Sequence, residues 1–479
     1  MALRSLSGSV AASLLLASPA SAQWTYISLH PLGAAQSRAI ATTDTQQTGW
    51  AEYGGDQHAG IWSGTPASFI DLNPVIATSS FGHATTGLQQ AGFVIVGGVQ
   101  VASLWTGTAA SWTDINPLGA TSSYVLAMSG LQKGGWAVFG GVRAPGVWNG
   151  ITSTWQDLSP PDNTEGLVRD TNGTQQVGYS SGAALLLRAF LWDGTAASGV
   201  NLHPAALGGI ASIAYATIGT MQAGSAAFPP TGLFNAGTWT GTAASWVNLN
   251  PPGASDSQAI AMTDSPAGPV QAGYATFAGF PRAGVWYGTA ASWIDLHSVL
   301  PPALYSSSET RYIFSAGSTL YVAGFAYNYV LARDEAILWV SAPECSDGSD
   351  NDSDGRVDHP ADPGCSAADD SSEKGVPISA LGWLTCDDGV DNDGDGLVDY
   401  PADPGCREPL SFTENPPCNN WWDDDQDGYT DYPADPECAT GWDTVEHVAG
   451  AQCGIGYELG LVMPLLWWLY ERRRERARR

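Results

Sequence analysis

Three loops toward the C-terminal end carry carboxylates at a spacing suited to a hard cation. Their cores read Asp350-Asn-Asp352-Ser-Asp354-Gly355, Asp391-Asn-Asp393-Gly-Asp395-Gly396 and Asp423-Asp-Asp425-Gln-Asp427-Gly428, and each is followed three residues later by Asp358, Asp399 or Asp431. Carboxylates at alternate positions converge on one centre only if the backbone coils tightly around it, and a glycine at the sixth position permits the turn. An all-oxygen ligand set favours calcium. Without a cation, four carboxylates crowded into so short a segment repel one another, so each loop is expected to order only when loaded.

Each core is bracketed by cysteines at one spacing: Cys345 with Cys365, Cys386 with Cys406, and Cys418 with Cys438. All seven cysteines lie beyond residue 344, and six of them pair naturally within their own repeats. Closing a loop of this length stabilises the fold by about 3 kcal/mol in the simplest chain-entropy treatment. That contribution matters where few apolar residues are present to build a core. Zinc is disfavoured, because no CxxC pair or histidine partner accompanies the cysteines.

The loops depart from an EF-hand where that motif places a bidentate glutamate. Position twelve is Ala361, Ala402 or Ala434, and the surrounding Pro360-Ala-Asp362-Pro363 pattern, repeated in all three copies, excludes an exiting helix. The DxDxDG core with bracketing cysteines resembles the Asp-rich repeats of the thrombospondin type 3 class. The resemblance implies Ca2+ as the bound ion, held by Asp350, Asp352, Asp354 and Asp358, by Asp391, Asp393, Asp395 and Asp399, and by Asp423, Asp425, Asp427 and Asp431. Backbone carbonyls of Arg356, Leu397 and Tyr429 would take the seventh position, with Asp362, Asp403 and Asp435 as further ligands. A merely solubilising acidic linker would not repeat glycine and cysteine in register.

Charge is segregated along the chain. Residues 343–447 hold 28 acidic and 3 basic side chains, whereas residues 23–342 hold 16 and 8. No basic stripe is available to neutralise phosphates, which argues against a nucleic-acid partner. Residues 1–22 combine Arg4, an apolar run and Ala20-Ser21-Ala22, the pattern of a secretory signal cleaved after Ala22. Export would place the cysteines in an oxidising compartment.

The opposite end joins Cys453-Gly454-Ile-Gly456, an apolar run from Leu459 to Tyr470 and an arginine cluster opening at Arg472. The run is short for a permanent span of about 20 residues, and the arginines are expected to stay cytoplasmic. The arrangement resembles C-terminal sorting signals of the PEP-CTERM and MYXO-CTERM kind. That likeness implies a short hydrophobic helix, a membrane contact and a sorting protease as partner. Cys453 would be the cleavage or lipid-attachment point, with a plain membrane anchor as the alternative.

Between these ends lies a second repeat array. Seven copies begin at Tyr26, Phe69, Trp112, Trp155, Gly199, Trp246 and Trp293, each matching aromatic-x-Asp/Asn-Leu-x-Pro at every position or all but one. A segment such as Ser37-Arg-Ala-Ile-Ala41 follows, then a Gln-x-Gly turn such as Gln47-Thr-Gly49, then an apolar strand ending at Trp62, Trp105, Trp148, Trp192, Trp239, Trp286 or Trp339. Short, glycine-punctuated, aromatic and β-branched segments predict four strands per copy, the size of a propeller blade. The first copy is a lone strand and the last strand lacks its partner, so pairing the two would close a ring. The expected fold is all-β, a seven-bladed β-propeller, with a stacked β-solenoid as the alternative.

Ala189-Phe190-Leu191-Trp192 with the Gln-x-Gly turns is similar to the HAF repeats of extracellular bacterial proteins, a likeness that implies export but no shared activity. The acids Asp71, Asp114, Asp157 and Asp295 occupy one repeat position with Asn201 and Asn248, and His30, His203 and His297 alternate with Asn73, Asn116 and Asn250. Recurrence of this kind points to turn hydrogen bonding rather than catalysis or metal ligation. Asp170, Glu165 and Glu309 lie in less regular segments, at no acid/base spacing, and HExxH and P-loop patterns are absent. Most of the twenty tryptophans mark repeat register, which points to packing more than to sugar stacking.

The layout is thus a signal peptide (1–22), a propeller (23–342), three calcium repeats forming a disulfide-stapled stalk (343–447) and a sorting tail (448–479). The expected function is non-enzymatic: a surface-anchored calcium-binding protein displaying a propeller that is structural or binds a glycan or protein. A secreted propeller-type hydrolase or lectin acting on polysaccharide is the alternative.

Overall fold

The computed structural model describes residues 24–182, 186–266 and 268–341. In the C-terminal part it describes 345, 356–359, 361–362, 364–365, 386, 397, 400–403, 405–407, 418, 429–430, 432–436 and 438–440. The chain divides into two compact units, Met1–Pro343 and Glu344–Arg479.

Each repeat of the first unit folds as a four-stranded antiparallel meander. In blade one the strands run Ser37–Thr42, Gln47–Tyr53, Asp56–Trp62 and Ile70–Asp71, from the innermost outward. The hairpins are set by glycine pairs with positive φ, as at Gly54 (65°) and Gly55 (97°), a backbone that matches the right-handed twist of the flanking strands. Inner strands begin at Ser79 in blade two, Ser122 in blade three, Glu165 in blade four, Ala211 in blade five, Ser257 in blade six and Tyr305 in blade seven.

Blade seven takes its outermost strand from the other end of the propeller. Trp24–Ser28 pairs antiparallel with Arg333–Ser341, placing Tyr26 opposite Trp339. The ring is therefore closed by hydrogen bonds between its first and last strands, and Arg333–Ser341 is flanked by a partner on each side. This is a seven-bladed β-propeller, not a solenoid.

The repeated tryptophans fill the seams between blades. All seven are fully buried. Trp105 of blade two packs with Ile61 and Leu72 of blade one, Trp239 of blade five with Leu191 and Leu202 of blade four, and Trp62 of blade one with Leu338 of blade seven. The leucine of the outermost-strand motif is thus the partner of the next blade's indole, which is why both recur at the same period.

A polar clamp runs beside each of six seams. The N–H of Ala59, Ala102, Ala189, Ala236, Ala283 or Ala336 donates at 2.9–3.0 Å to the hydroxyl of Ser80, Ser123, Ser212, Ser257, Ser308 or Ser37 in the next blade. That hydroxyl meets Oδ1 of Asn73, Asn116 or Asn250, or Nδ1 of His203, His297 or His30, back on the donating blade. At the seam between blades three and four the donor is lost, because Pro145 has no N–H. There Gly166 replaces the serine, and the space a Cβ would need is taken by the Pro145 ring, 3.0 Å away. Arg143 and Glu165 form a single parallel bridge and an ion pair of 2.6 Å across this seam instead.

Two substitutions measure these contributions separately. Ser257→Ala leaves the buried Ala236 N–H without its acceptor and is expected to cost about 1–3 kcal/mol. Trp239→Ala empties a seam and is expected to cost about 3–5 kcal/mol. Urea denaturation of the disulfide-intact protein reads both, and a near-neutral Ser257→Ala would show that the clamp does not hold the seam.

Candidate functional site

The repeated acids and histidines of the propeller serve its backbone. Asp71, Asp114, Asp157 and Asp295 each accept, through Oδ1, the N–H two residues ahead at 2.7–2.9 Å, and Asn201 and Asn248 do the same. Each side chain thereby caps the turn that follows the outermost strand. His30, His203 and His297 sit in the clamp, where serine accepts the alanine N–H and its own proton is left for the imidazole Nδ1. That arrangement suits the neutral imidazole, and burial holds all three below the ordinary value of 6.5.

The Gln-x-Gly segments, expected as turns, lie instead in the second strand of their blades, and they too are structural. Gln47, Gln90, Gln176, Gln222 and Gln271 are fully buried, and each Oε1 accepts the N–H of the glycine two residues after the blade's tryptophan, at 2.8–3.0 Å. In blade three Lys133 takes this place, fully buried, its ammonium donating to the Leu131 carbonyl at 3.1 Å. Burial pulls its pKa down. The tryptophans beside these segments also pack: Trp50 is buried against Phe81, and Trp136 lies under the Arg143 guanidinium.

The glycine of each segment has a second role, at the axis. A Cβ on Gly49 or Gly273 would lie 2.0 or 1.8 Å from the carbonyl oxygen of Arg38 or Gln258 on the inner strand, so no larger residue fits. Opposite this glycine every inner strand carries a β-bulge, which adds one unpaired residue and re-aims its side chain. The bulged residues are Ile40, His83, Leu126, Arg169, Tyr215, Ile260 and Arg311, one per blade, and all seven line a central cavity of about 180 Å³.

Sequence reasoning singled out Asp170 of this cavity but missed the ring beside it. Asp170 accepts the N–H groups of Thr171 (2.8 Å) and Thr217 (2.9 Å), and burial raises its pKa to about 6. Glu309 pairs with Arg311 at 2.8 Å. Glu165 accepts from Arg143 and from the Tyr179 hydroxyl. Among the described residues lining the cavity, no second carboxylate joins Asp170. His83 is pushed down to about 3 by burial and by the charges of Arg169 and Arg311. A more open groove of about 690 Å³ lies between blades two and three, where Trp155, Phe139 and Ile151 face Asp114 and Asn116.

In the second unit the three cysteine pairs are joined as disulfides, with Cα separations of 5.6, 5.6 and 5.8 Å. Each cross-link encloses the same backbone contact, since the N–H of His359, Tyr400 or Tyr432 donates to the carbonyl of Cys345, Cys386 or Cys418 at 3.0–3.1 Å. Asp362, Asp403 and Asp435 are buried at 2, 1 and 1% exposure, with Oδ1 of the first two accepting from Gly364 and Gly405. Carboxylates so deeply buried need compensating charge or hydrogen bonds, and a hard cation is a fitting neighbour for them. Of the twelve aspartates expected to hold calcium, Asp358 is described, with φ at 52°, and the other eleven lie outside the described residues. So do Ala22, Cys453 and the tail, including its expected helix. Among the described residues no three His, Cys, Asp or Glu side chains gather to hold a metal, and no helix is long and apolar enough to cross a membrane.

No protein-family model matches the chain, and no curated protein does. Solved structures similar to it include the propeller domain of the Trilobed protease from Pyrococcus furiosus, at 9% identity and a TM-score of 0.44 over 64% of this chain and 95% of that one. The BP39L lectin of Burkholderia pseudomallei is similar at 14% identity and a TM-score of 0.40, over 64% and 96% of the two chains. A puromycin-hydrolysing peptidase from Mycobacterium tuberculosis is similar at 13% identity and a TM-score of 0.44, over 66% of this chain and 55% of its own. The chain thus spans about half the length of that peptidase.

The clamp histidines make stability depend on pH. Their folded pKa values lie below 6.5, so the unfolded chain takes up protons first as the pH falls, and stability present above 6.5 is lost on acidification. His83 acts in the same direction, while Asp170, raised from 3.8 to about 6, acts in the opposite one. The triple change His30→Asn, His203→Asn, His297→Asn installs the residue other blades use at this point. It is expected to keep the fold at about pH 7.5 and to shrink the stability lost on going to about pH 5.5. An unchanged loss in urea denaturation at the two pH values would rule out neutral imidazoles as the cause.

Proposed function

We propose that the chain is an exported protein of the cell envelope or surface. In this reading the β-propeller binds or scaffolds rather than catalyses, and the three disulfide-closed loops that follow it are loaded with calcium. The observation that carries it is threefold: three cross-links of one geometry, each closing the same backbone contact and each accompanied by one buried aspartate at the same place. A chance acidic segment gives no reason for that recurrence, whereas a cation shell repeated three times does.

The aspartates Asp350, Asp352, Asp354 and Asp358, with their counterparts at 391, 393, 395, 399, 423, 425, 427 and 431, would hold the ions. Bound calcium supplies the charge that lets these loops pack, so the segment stiffens into a stalk on loading. The likeness to thrombospondin type 3 repeats supports the calcium assignment, and the likeness to HAF repeats supports export. The N-terminal leader and the tail from Cys453 to the arginine cluster support export, membrane contact and a sorting protease as partner. A non-catalytic propeller is favoured because its recurrent acids are committed to turn caps, and Glu165 and Glu309 to arginines.

Calorimetric titration of the full, oxidised chain with calcium, with magnesium as control, tests the reading. Saturable binding near three ions per chain is expected, with affinity on the order of micromolar to millimolar. Asp352→Asn, Asp393→Asn and Asp425→Asn should each remove about one site. If the titration shows no binding, or if protease cuts residues 343–447 equally fast with calcium and with chelator, the calcium assignment falls.

A further inference from the structure

The central cavity contains a cation that the fold does not neutralise. Arg169, the bulged residue of blade four, reaches the cavity, and its Nε is buried without a hydrogen-bond partner. Among the described residues no carboxylate lies within ion-pair distance of it. Its neighbour Asp170 is engaged elsewhere, by the N–H groups of Thr171 and Thr217. What Arg169 has is the Tyr215 ring, 5.4 Å from its guanidinium carbon, a cation–π contact near the outer limit of its range. The other arginine of the ring differs, since Arg311 holds Glu309 at 2.8 Å.

A guanidinium does not shed its proton, and Arg169 is half-buried with its Nε fully so, which leaves part of its charge without compensation. The charge is also felt by its surroundings, because Arg169 and Arg311 both depress His83, leaving a neutral imidazole in the same cavity. One part of the wall is apolar, with Ile40, Leu126 and Ile260 at the equivalent position in blades one, three and six, and the remainder carries polar groups such as Thr85, Gln258 and Tyr312. At about 180 Å³ the space is smaller than the roughly 300 Å³ at which drug-sized sites begin. A fork of N–H donors in a small chamber with an aliphatic side matches a planar oxyanion carrying a short hydrocarbon body.

We propose that the centre of the propeller is a binding site for a small organic carboxylate, held head-first by the Arg169 guanidinium with its aliphatic part against the isoleucine and leucine side chains of the ring. The site draws on nothing in the calcium loops, and the two assignments fail independently.

The test is thermal denaturation of the full chain at constant ionic strength and constant calcium, with formate, acetate, propionate and isobutyrate in one arm and inorganic phosphate and sulfate in the other. Wild type is compared with Arg169→Gln and Arg169→Lys. Expected is a saturable rise in Tm with the carboxylates, larger for propionate or isobutyrate than for formate, abolished in Arg169→Gln and weakened in Arg169→Lys. Arg169→Gln should melt no lower than wild type without added anion, because it removes an uncompensated charge. A rise with phosphate or sulfate but not with carboxylates would overturn the carboxylate assignment in favour of an inorganic oxyanion on the same guanidinium. No rise with any anion, or a rise that survives in Arg169→Gln, would overturn the site altogether. If Arg169→Gln fails to fold, Arg169→Lys decides, since loss of bidentate geometry alone must reduce the shift.

Discussion

The propeller depends on the seam between blades, where one buried indole and one shared serine hydroxyl do two different jobs. The tryptophan removes apolar surface from both blades, a non-directional gain that tolerates sliding. The serine, bonded to an alanine N–H and to an asparagine or histidine on the neighbouring blade, has a direction and a length, and it fixes the register that the indole leaves loose. The exception shows the dependence. Where Pro145 supplies no N–H, the serine has become Gly166, the amide acceptor has become Ser159, and an arginine–glutamate pair crosses the seam.

Closure follows from the same units. The last blade has three strands of its own and reaches four only by borrowing Trp24–Ser28, which brings Leu29 and His30 into place to complete the seam with blade one. The ring also imposes the bulges. Inner strands converge on the axis, and the glycine of each Gln-x-Gly segment lets a carbonyl approach where any Cβ would collide. The extra residue this creates is the one position per blade that the scaffold does not need, so seven unrelated side chains meet there. Function in a repeat protein concentrates where the repeat is free to vary.

Much of this was legible as pattern. Trp62, Trp105 and their counterparts, with the preceding leucines, signalled inter-blade packing by period alone. The swap of histidine for asparagine signalled a shared hydrogen-bond role, because both present an acceptor at similar reach. The three disulfides followed from cysteines repeated at one spacing. The cavity was hidden for a reason that is also physical: Ile40, His83, Leu126, Arg169, Tyr215, Ile260 and Arg311 share no chemistry. They are visible in sequence only as the unmatched fourth residue of a strand whose other positions are small, and alignment of the copies on the Ser-x-Ala-Ile-Ala segment would have isolated them.

By itself the sequence determined the elements and their number, since strand period, turn glycines and the recurrence of Trp and Leu are local properties written at every copy. It also determined the closing pair of strands, because one orphan stood at each end of the array. The tertiary structure decided what converges. Charge balance at the axis depends on where side chains aimed by bulges from separate blades meet: Arg311 is neutralised by Glu309 on its own strand, while Arg169 finds the Tyr215 ring of the next blade and an open chamber. Compensation of a buried charge is a property of the space around it, and that space exists only once the ring is closed.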